Sequence, residues 1–562
     1  MSLKTPRLCQ PAGVSLFRGS VFLSVVGLVT LTVAVFFPIF TADFVDYDDP
    51  AFVTKNEYVS EGLTLRNLRW AVTQEDLGGE MMHEGIGNVW HPLTWISHQL
   101  DASLFGTEKA TGHHVHNLLL HLGAVILAYF CALKLKWGGG LSLFTAIVFA
   151  VHPTHVESVA WISERKDVLS AFFFFGTLLA WLHGRKWLSV GLYVCALMAK
   201  PSVVPLPVLL LLIEWWRNGF RVSDAPLKAL GSAITRVLPW IIPVLLVVGV
   251  TLWSQYGGTH RDFIMPLSQR LLQMPAALVF YLWRSFVPLD LSFHYPYPAS
   301  MQAYLFAALI LAVIGLILWR GRKKVPALIF GAGWFLLLWI PVSGIFHVGT
   351  SFTSDRYLYL AHFGLFAGVF LTLRDRVPRN VFLGLAGVFS LILVPLCHAQ
   401  VRVWKDSETL FAHGVKAQPR DPVAPQNLAV LYQMRGDRER AKLFYGKALE
   451  LAPFDHIALT NLGRLEKDQE EMSEATVLTE RALEVAPNYI PALRLRVELA
   501  LEQGELPIAE ELGRKVLALT GGGYLADVKN YLRVLRSLGR PQQVEAILQQ
   551  VPEEMRQELR GL

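Results

Sequence analysis

Residues 17–50 read FRGSVFLSVVGLVTLTVAVFFPIFTADFVDYDDP. From Gly19 to Phe40 no residue carries a charge. A helix of about 20 apolar residues, rising about 1.5 Å per residue, crosses a hydrocarbon core of roughly 30 Å. The run is too long for the apolar core of a secretory signal, and it enters Thr41–Pro50 with no small-residue cleavage pattern, so it reads as a first transmembrane helix. Asp46, Asp48 and Asp49 follow at once, three carboxylates within four residues. Such groups repel one another unless a cation or a shifted pKa accommodates them. Two readings of the triplet stand: a solvated helix cap, or a general base held at the membrane surface.

The rest of the chain repeats this alternation of long apolar runs and polar loops. Of 562 residues, 53% are hydrophobic and only 17% charged, against roughly 25% in an ordinary soluble domain. The apolar excess is confined to residues 1–400, while 401–562 are polar and charged. The division predicts a membrane domain over 1–400 and an extramembrane helical domain over 401–562. Candidate spans are 17–40, 113–133, 138–153, 167–183, 187–200, 202–216, 236–254, 301–319, 326–345, 357–373 and 379–398, eleven in all. The apolar segment 270–287 carries Arg284 and is bracketed by Pro275 and Pro288, and is expected to lie at the interface or re-enter rather than cross.

The net charge of +6 carries no nucleic-acid signal, because the basic residues sit in short clusters at the ends of apolar runs. Lys4, Arg7 and Arg18 place the N-terminus in the cytoplasm. With eleven spans, Lys134/Lys136, Arg185/Lys186, Arg217/Arg221, Arg320–Lys324 and Arg374/Arg376/Arg379 fall on that same side, and the C-terminal domain falls outside. The expected location is a multi-pass inner (cell) membrane protein with a periplasmic tail. Cys9, Cys131, Cys195 and Cys397 show no paired spacing, so neither a disulfide framework nor a zinc site is indicated.

The tail is periodic. Pro419, Pro453 and Pro487 are spaced by 34 residues, as are Ala441, Ala475 and Ala509, and Ala-Leu-Glu at 448–450 recurs at 482–484. A 34-residue period with small residues at fixed positions and a proline ending each unit is that of the tetratricopeptide repeat (TPR), two packed helices per unit. Two good units with a weaker one on each side predict a short α-solenoid, a fold that binds extended peptides or partner proteins.

Polar residues beside a membrane are costly and mark candidate sites. Besides Asp48 and Asp49, the outer loops carry His91, then His113-His-Val-His116, then His152-Pro-Thr-His155-Val-Glu157 followed by Glu164-Arg165-Lys166-Asp167, and finally Asp355-Arg356. His152 and His155 with Glu157 have the residue types of a metal site, but Pro153 breaks the helix that would align them, and hydrogen-bonded positioning is the preferred reading. Arg356 suits a phosphate, since its planar fork engages two oxygens at once. Interfacial anchoring is the plainer alternative for that cluster. Together, the acidic first loop, the histidines and the basic residues on one face fit a phosphate-bearing lipid.

The chain resembles the transmembrane-and-TPR (TMTC) protein O-mannosyltransferases, of the GT-C glycosyltransferase fold. The resemblance rests on Asp48-Asp49 after span one, His116-Asn-Leu-Leu-Leu-His121, Ala150-Val-His-Pro-Thr-His-Val-Glu157, Arg165-Lys-Asp-Val-Leu169 and Asp355-Arg-Tyr-Leu-Tyr-Leu360, and extends over essentially the whole chain. Glu164-Arg-Lys-Asp167 stands where animal members usually carry Gly-Arg-Ala-Asp, and the short repeat array and simple loops look bacterial. The resemblance implies an all-α protein, a polytopic GT-C-like helical domain followed by a TPR solenoid. It further implies an inverting transfer of a monosaccharide, mannose by family, from a polyprenyl-phosphate carrier to a hydroxyl of a protein acceptor handled by the repeats. Asp48 is the first choice of general base and Asp49 the second. Arg356 and Arg165, then Lys166 and Lys200, with Arg261 nearby, are the donor-phosphate candidates. His91, His152, His155, Glu157 and Asp355 are positioning candidates, and neither a metal nor a cofactor is required. A transferase acting on a lipid or envelope glycan, and a non-catalytic TPR scaffold, are the competing readings.

Overall fold

The computed structural model describes residues 12–74, 90–218, 226–256, 265–298, 300–345 and 351–560, and among them there is no β-strand. Arg261, one of the phosphate candidates, lies outside the described residues. These residues divide into two compact units, one running to Leu410 and one from Phe411 onward.

Every expected span in the first unit is helical, but they differ in length. Gly19–Thr41, Thr111–Lys134, Gly231–Val250, Met301–Gly321 and Arg379–Val403 are long and apolar enough to cross a membrane. Gly139–Val151 and Pro153–Ala160 make a sixth if taken as one broken span, bent by 52°. Lys186–Ala199, Pro326–Val342 and Ala361–Arg374 are apolar but only 10–17 residues long. A 14-residue helix extends about 21 Å, short of the core thickness. By length and composition, five of the described helices, or six with the bent pair taken as one span, suffice to cross singly, and the other expected spans are shorter or more polar helices. The shorter helices end on irregular backbone at proline: Lys200-Pro201, Ile340-Pro341 and His152-Pro153. The segment expected at the interface forms the helix Leu267–Phe286, with Arg284 buried near its end.

Small residues bring the helices of the first unit together. A Cβ on Gly368 would lie 2.8 Å from the Ala327 carbonyl oxygen and 2.8 Å from Gly331 Cα, so Pro326–Trp339 and Ala361–Arg374 touch backbone to backbone. Close approach of this kind is how helices gain dispersion contact in lipid, where the hydrophobic effect does not drive them together.

The second unit stacks antiparallel helix pairs: Val423–Met434 with Arg438–Leu451, His456–Lys467 with Met472–Val485, Ile490–Glu502 with Leu506–Thr520, and Leu525–Ser537 with Pro541–Gln550. The periodic alanines Ala441, Ala475 and Ala509 are all fully buried where the paired helices meet. The turns within the first three pairs place Gly436, Glu470 and Gly504 at positive φ (77°, 65° and 77°), again spaced by 34 residues. The tail is a TPR α-solenoid.

Candidate active site

Proline fixes the backbone around the polar loops of the first unit. His91, His152 and Lys200 each precede a proline that opens the next helix or turn, and each takes a non-helical conformation, the bias a following proline imposes. Chain direction therefore changes at the residues that carry the chemistry.

The two candidate bases have different surroundings. Asp49 is 1% exposed, and its carboxylate accepts from the Val45 amide (2.9 Å), the Ser163 amide (3.0 Å) and the Ser163 hydroxyl (2.5 Å). Burial raises its pKa to about 6 against the pull of those donors. It ties the first loop to the turn Ile162–Glu164 and has no face left for a substrate. Asp48 is half-buried, and its carboxylate accepts no hydrogen bond among the described residues. Burial raises its pKa, Lys166 lowers it, Glu164 raises it and Arg356 lowers it. Of the two, Asp48 is the carboxylate open to a reacting group.

Two cations, Lys166 and Arg356, act on Asp48, and Lys200 joins them through Glu164. Arg356 pairs with Glu157 through Nη1 and with Glu164 through Nε at 3.1 Å, while its amide donates to Glu157 Oε2 at 2.9 Å. Lys166 Nζ lies 3.0 Å from Glu164 Oε1, and Lys200 Nζ lies 2.5 Å from Asp167 and 3.6 Å from Glu164. The three side chains keep 14–17% of their surface in the open, whereas Glu164 keeps 2%. Glu164 is thus the buried hub on which the three cations are mounted, and they hold its pKa below the usual carboxylate range despite burial. Three cations meet Glu157, Glu164 and Asp167, so a phosphate here would be held by preset donors and not by net positive charge. Trp161 and Tyr357 flank the Arg356 guanidinium at 5.4 and 5.2 Å, and Phe52 lies under Lys166 at 4.8 Å. Packing of this kind restricts the cations to few rotamers.

Arg165 is placed elsewhere. It is fully buried, and its guanidinium pairs with Asp101 at 2.5 Å, donates to Asn117 Oδ1 at 2.5 Å and to the His113 carbonyl at 2.8 Å, and lies 3.0 Å from His116 Nδ1. With its donors committed to protein, it ties three helices together and offers no fork to a phosphate. The positioning candidates also separate. Glu157 orients Arg356. Asp355 is buried beneath the cluster, accepting from Tyr295 at 2.7 Å. His91 packs against Trp95 (4.9 Å) and Phe52 (5.9 Å), the latter being the ring that underlies Lys166. His152 and His155 face inward, toward His362 and Ser285, away from the cations. Sequence reasoning missed His362 and, within the Glu164–Asp167 stretch it did single out, the role of Glu164 as the hub. An acidic residue between two outward clusters and a lone imidazole in an otherwise apolar helix were the available signals.

No family model matches the chain. Among curated proteins it is similar to human protein O-mannosyl-transferase TMTC1, 24% identical over 72% of the chain and 52% of that protein. Human TMTC4 is likewise 24% identical, over 72% of the chain and 63% of that protein. Mouse TMTC1 is 34% identical over 30% of the chain and 17% of that protein. The chain thus spans between about half and under two thirds of the length of the two human relatives. Its sequence is thus similar to TMTC proteins, and its long apolar helices are those of a membrane protein. Among solved structures, the crystal structure of the type IV pilus biogenesis factor PilW covers 34% of the chain at a TM-score of 0.25, a likeness too low to carry an argument.

Proposed function

We propose that this chain is an inverting glycosyltransferase that moves a monosaccharide, mannose by analogy with the named relatives, from a polyprenyl-phosphate carrier to a hydroxyl of a protein acceptor on the extracytoplasmic face of the membrane. The observation that carries the proposal is the juxtaposition of Asp48, a carboxylate with no hydrogen bond among the described residues, with the part-open cations Arg356 and Lys166, to which Lys200 is joined through Glu164.

Asp48 takes the proton from the acceptor hydroxyl as its oxygen attacks the anomeric carbon from the face opposite the phosphate. The new C–O bond forms as the bond from the anomeric carbon to the phosphate oxygen breaks, and the electron pair leaves with the lipid phosphate. Arg356, Lys166 and Lys200 stabilise the charge developing there as donors already set in place. Glu157 and Glu164 keep those cations in place before the donor arrives. The TPR unit presents the protein acceptor, the use to which such solenoids are suited.

The test is transfer from radiolabelled polyprenyl-phosphate-mannose to protein in membranes carrying the chain. Asp48→Asn is expected to lower the rate by about a hundredfold or more, and Arg356→Ala to weaken both donor binding and turnover. Full transfer by Asp48→Asn would sink the assignment of the base.

A further inference from the structure

His152, His155 and His362 come together at the 52° bend that follows Gly139–Val151, and one ring nitrogen of each lies within 4.8 Å of those of the other two. All three are fully buried. Their hydrogen bonds fix where the ring protons sit. His155 Nδ1 is 2.8 Å from the Phe149 carbonyl and His152 Nε2 is 3.0 Å from the Ser285 carbonyl. A carbonyl only accepts, so both nitrogens carry hydrogen. His362 Nε2 is 2.9 Å from Ser285 Oγ, whose own hydrogen goes to the Tyr281 carbonyl at 2.7 Å, so this nitrogen donates as well. The neutral rings are then left with lone pairs on His155 Nε2 and His362 Nδ1, and these two atoms face each other at 3.0 Å. His152 Nδ1 holds the third lone pair, capped by Thr154 through its hydroxyl (2.8 Å) and amide (3.3 Å). The neighbouring His121 shows no such conflict: Nε2 donates to the Ala150 carbonyl and Nδ1 accepts from the Tyr359 hydroxyl.

Two opposed lone pairs in a dry interior repel unless a positive centre lies between them. We infer that His155 Nε2 and His362 Nδ1 bind a transition-metal cation of the imidazole-preferring class, with zinc as its test ion, and that His152 Nδ1 exchanges its Thr154 contacts for the ion as third ligand. Outward N–H groups held by backbone carbonyls or a serine are the second-shell arrangement that fixes ring tautomers at imidazole metal sites. The ion would tie the Pro153–His155 turn to the helix Ala361–Arg374, while Ser285 of Leu267–Phe286 holds the outer nitrogens of two of the rings. Two residues beyond His155, Glu157 holds Arg356, so the ion supports the cation cluster without entering the transfer step. The inference does not depend on the proposed reaction.

The full chain, purified in detergent and stripped with chelator, is incubated with zinc, passed through a desalting column and measured for metal by mass spectrometry. About one ion per chain is expected, with nitrogen neighbours at about 2.0 Å by X-ray absorption. His362→Ala and His155→Ala are each expected to weaken binding about tenfold or more. Asp48→Asn should keep the ion, which separates this result from the outcome of the transfer assay. Should the histidine variants fail to fold, the cobalt-loaded wild type decides, by its visible absorption bands. Wild-type protein that takes up neither zinc nor cobalt overturns the proposal in favour of a proton shared by the two imidazoles. Undiminished zinc in a folded His155→Ala, His362→Ala double variant overturns it too.

Discussion

Asp48 and Asp49 are adjacent, chemically identical and equally acidic in isolation, so no reading of the sequence separates them. Their surroundings do. Asp49 serves as the acceptor for three donors, and Asp49→Ala leaves the Val45 amide and both Ser163 donors buried without it. The expected loss is about 2 kcal/mol or more, read by thermal unfolding in detergent. Since its folded pKa of about 6 exceeds the ordinary 3.8, the group's protonation-linked stabilisation is complete below pH 3.8 and lost as pH rises through 6. The gap between wild type and Asp49→Ala should therefore narrow over that window. Asp48→Asn breaks no hydrogen bond and should leave unfolding within about 0.5 kcal/mol of wild type while transfer falls. A base acts only when deprotonated, so the raised pKa of Asp48 places the acid limb of the rate profile above the ordinary carboxylate range. A limb at pH 4 or below would separate Asp48 from that role. Arg165 and Arg356 teach the same lesson. Both looked like phosphate ligands in the sequence, and only the distant Asp101 and Asn117 show that one of them is already occupied. Glu164 and Lys166, two residues apart in sequence, are paired at 3.0 Å.

Among elements, the 34-residue period was legible because each TPR unit is local: its partners are the next helix and the next unit. The same locality makes a sharp prediction. Glu470 occupies the turn position where the neighbouring units have Gly436 and Gly504, and all three have positive φ. A side chain in that region costs about 1 kcal/mol, so Glu470→Gly should stabilise the chain by about that amount in chemical denaturation. Unchanged or lowered stability would show that the Glu470 side chain compensates for its strain. The membrane helices behave differently, because their lengths depend on partners far away in sequence. Hydropathy located a helix at each of the eleven expected spans, and several of these are short helices that end close to a proline. Gly368 shows what holds them: Gly368→Ala should separate Pro326–Trp339 from Ala361–Arg374 and cost about 2 kcal/mol, because its neighbours are backbone atoms that cannot yield. Gly191→Ala, with nothing within 4 Å, is the control and should be neutral or slightly stabilising. Equal effects at the two positions would mean that the close approach is not what holds this pair.

For the whole molecule, the expected sidedness gains a geometric argument. Three of the basic clusters meet in space: Arg374 donates to the Trp137 carbonyl at 2.8 Å, and Arg376 to the Lys324 carbonyl at 2.6 Å. The helix Thr111–Lys134 starts beside Arg165, where His113 and His116 lie, and ends at Lys134 after 24 residues, or about 36 Å. The acidic, histidine and cation clusters thus lie at the opposite end of that helix from the gathered lysines and arginines. Cytoplasmic loops are rich in lysine and arginine, so the expected sidedness would put the Asp48 cluster on the outer side. Arg379–Val403 runs the same way as the argument requires, starting next to the basic Arg374–Arg376 turn and ending where Trp404 stacks on Trp161 at 5.5 Å. A reporter active only in the cytoplasm should therefore report when fused after Lys324 and stay silent when fused after Leu562, and a periplasmic reporter should do the reverse. The opposite pattern would place the Asp48 cluster where nucleotide sugars are available, and the lipid-linked donor would lose its rationale.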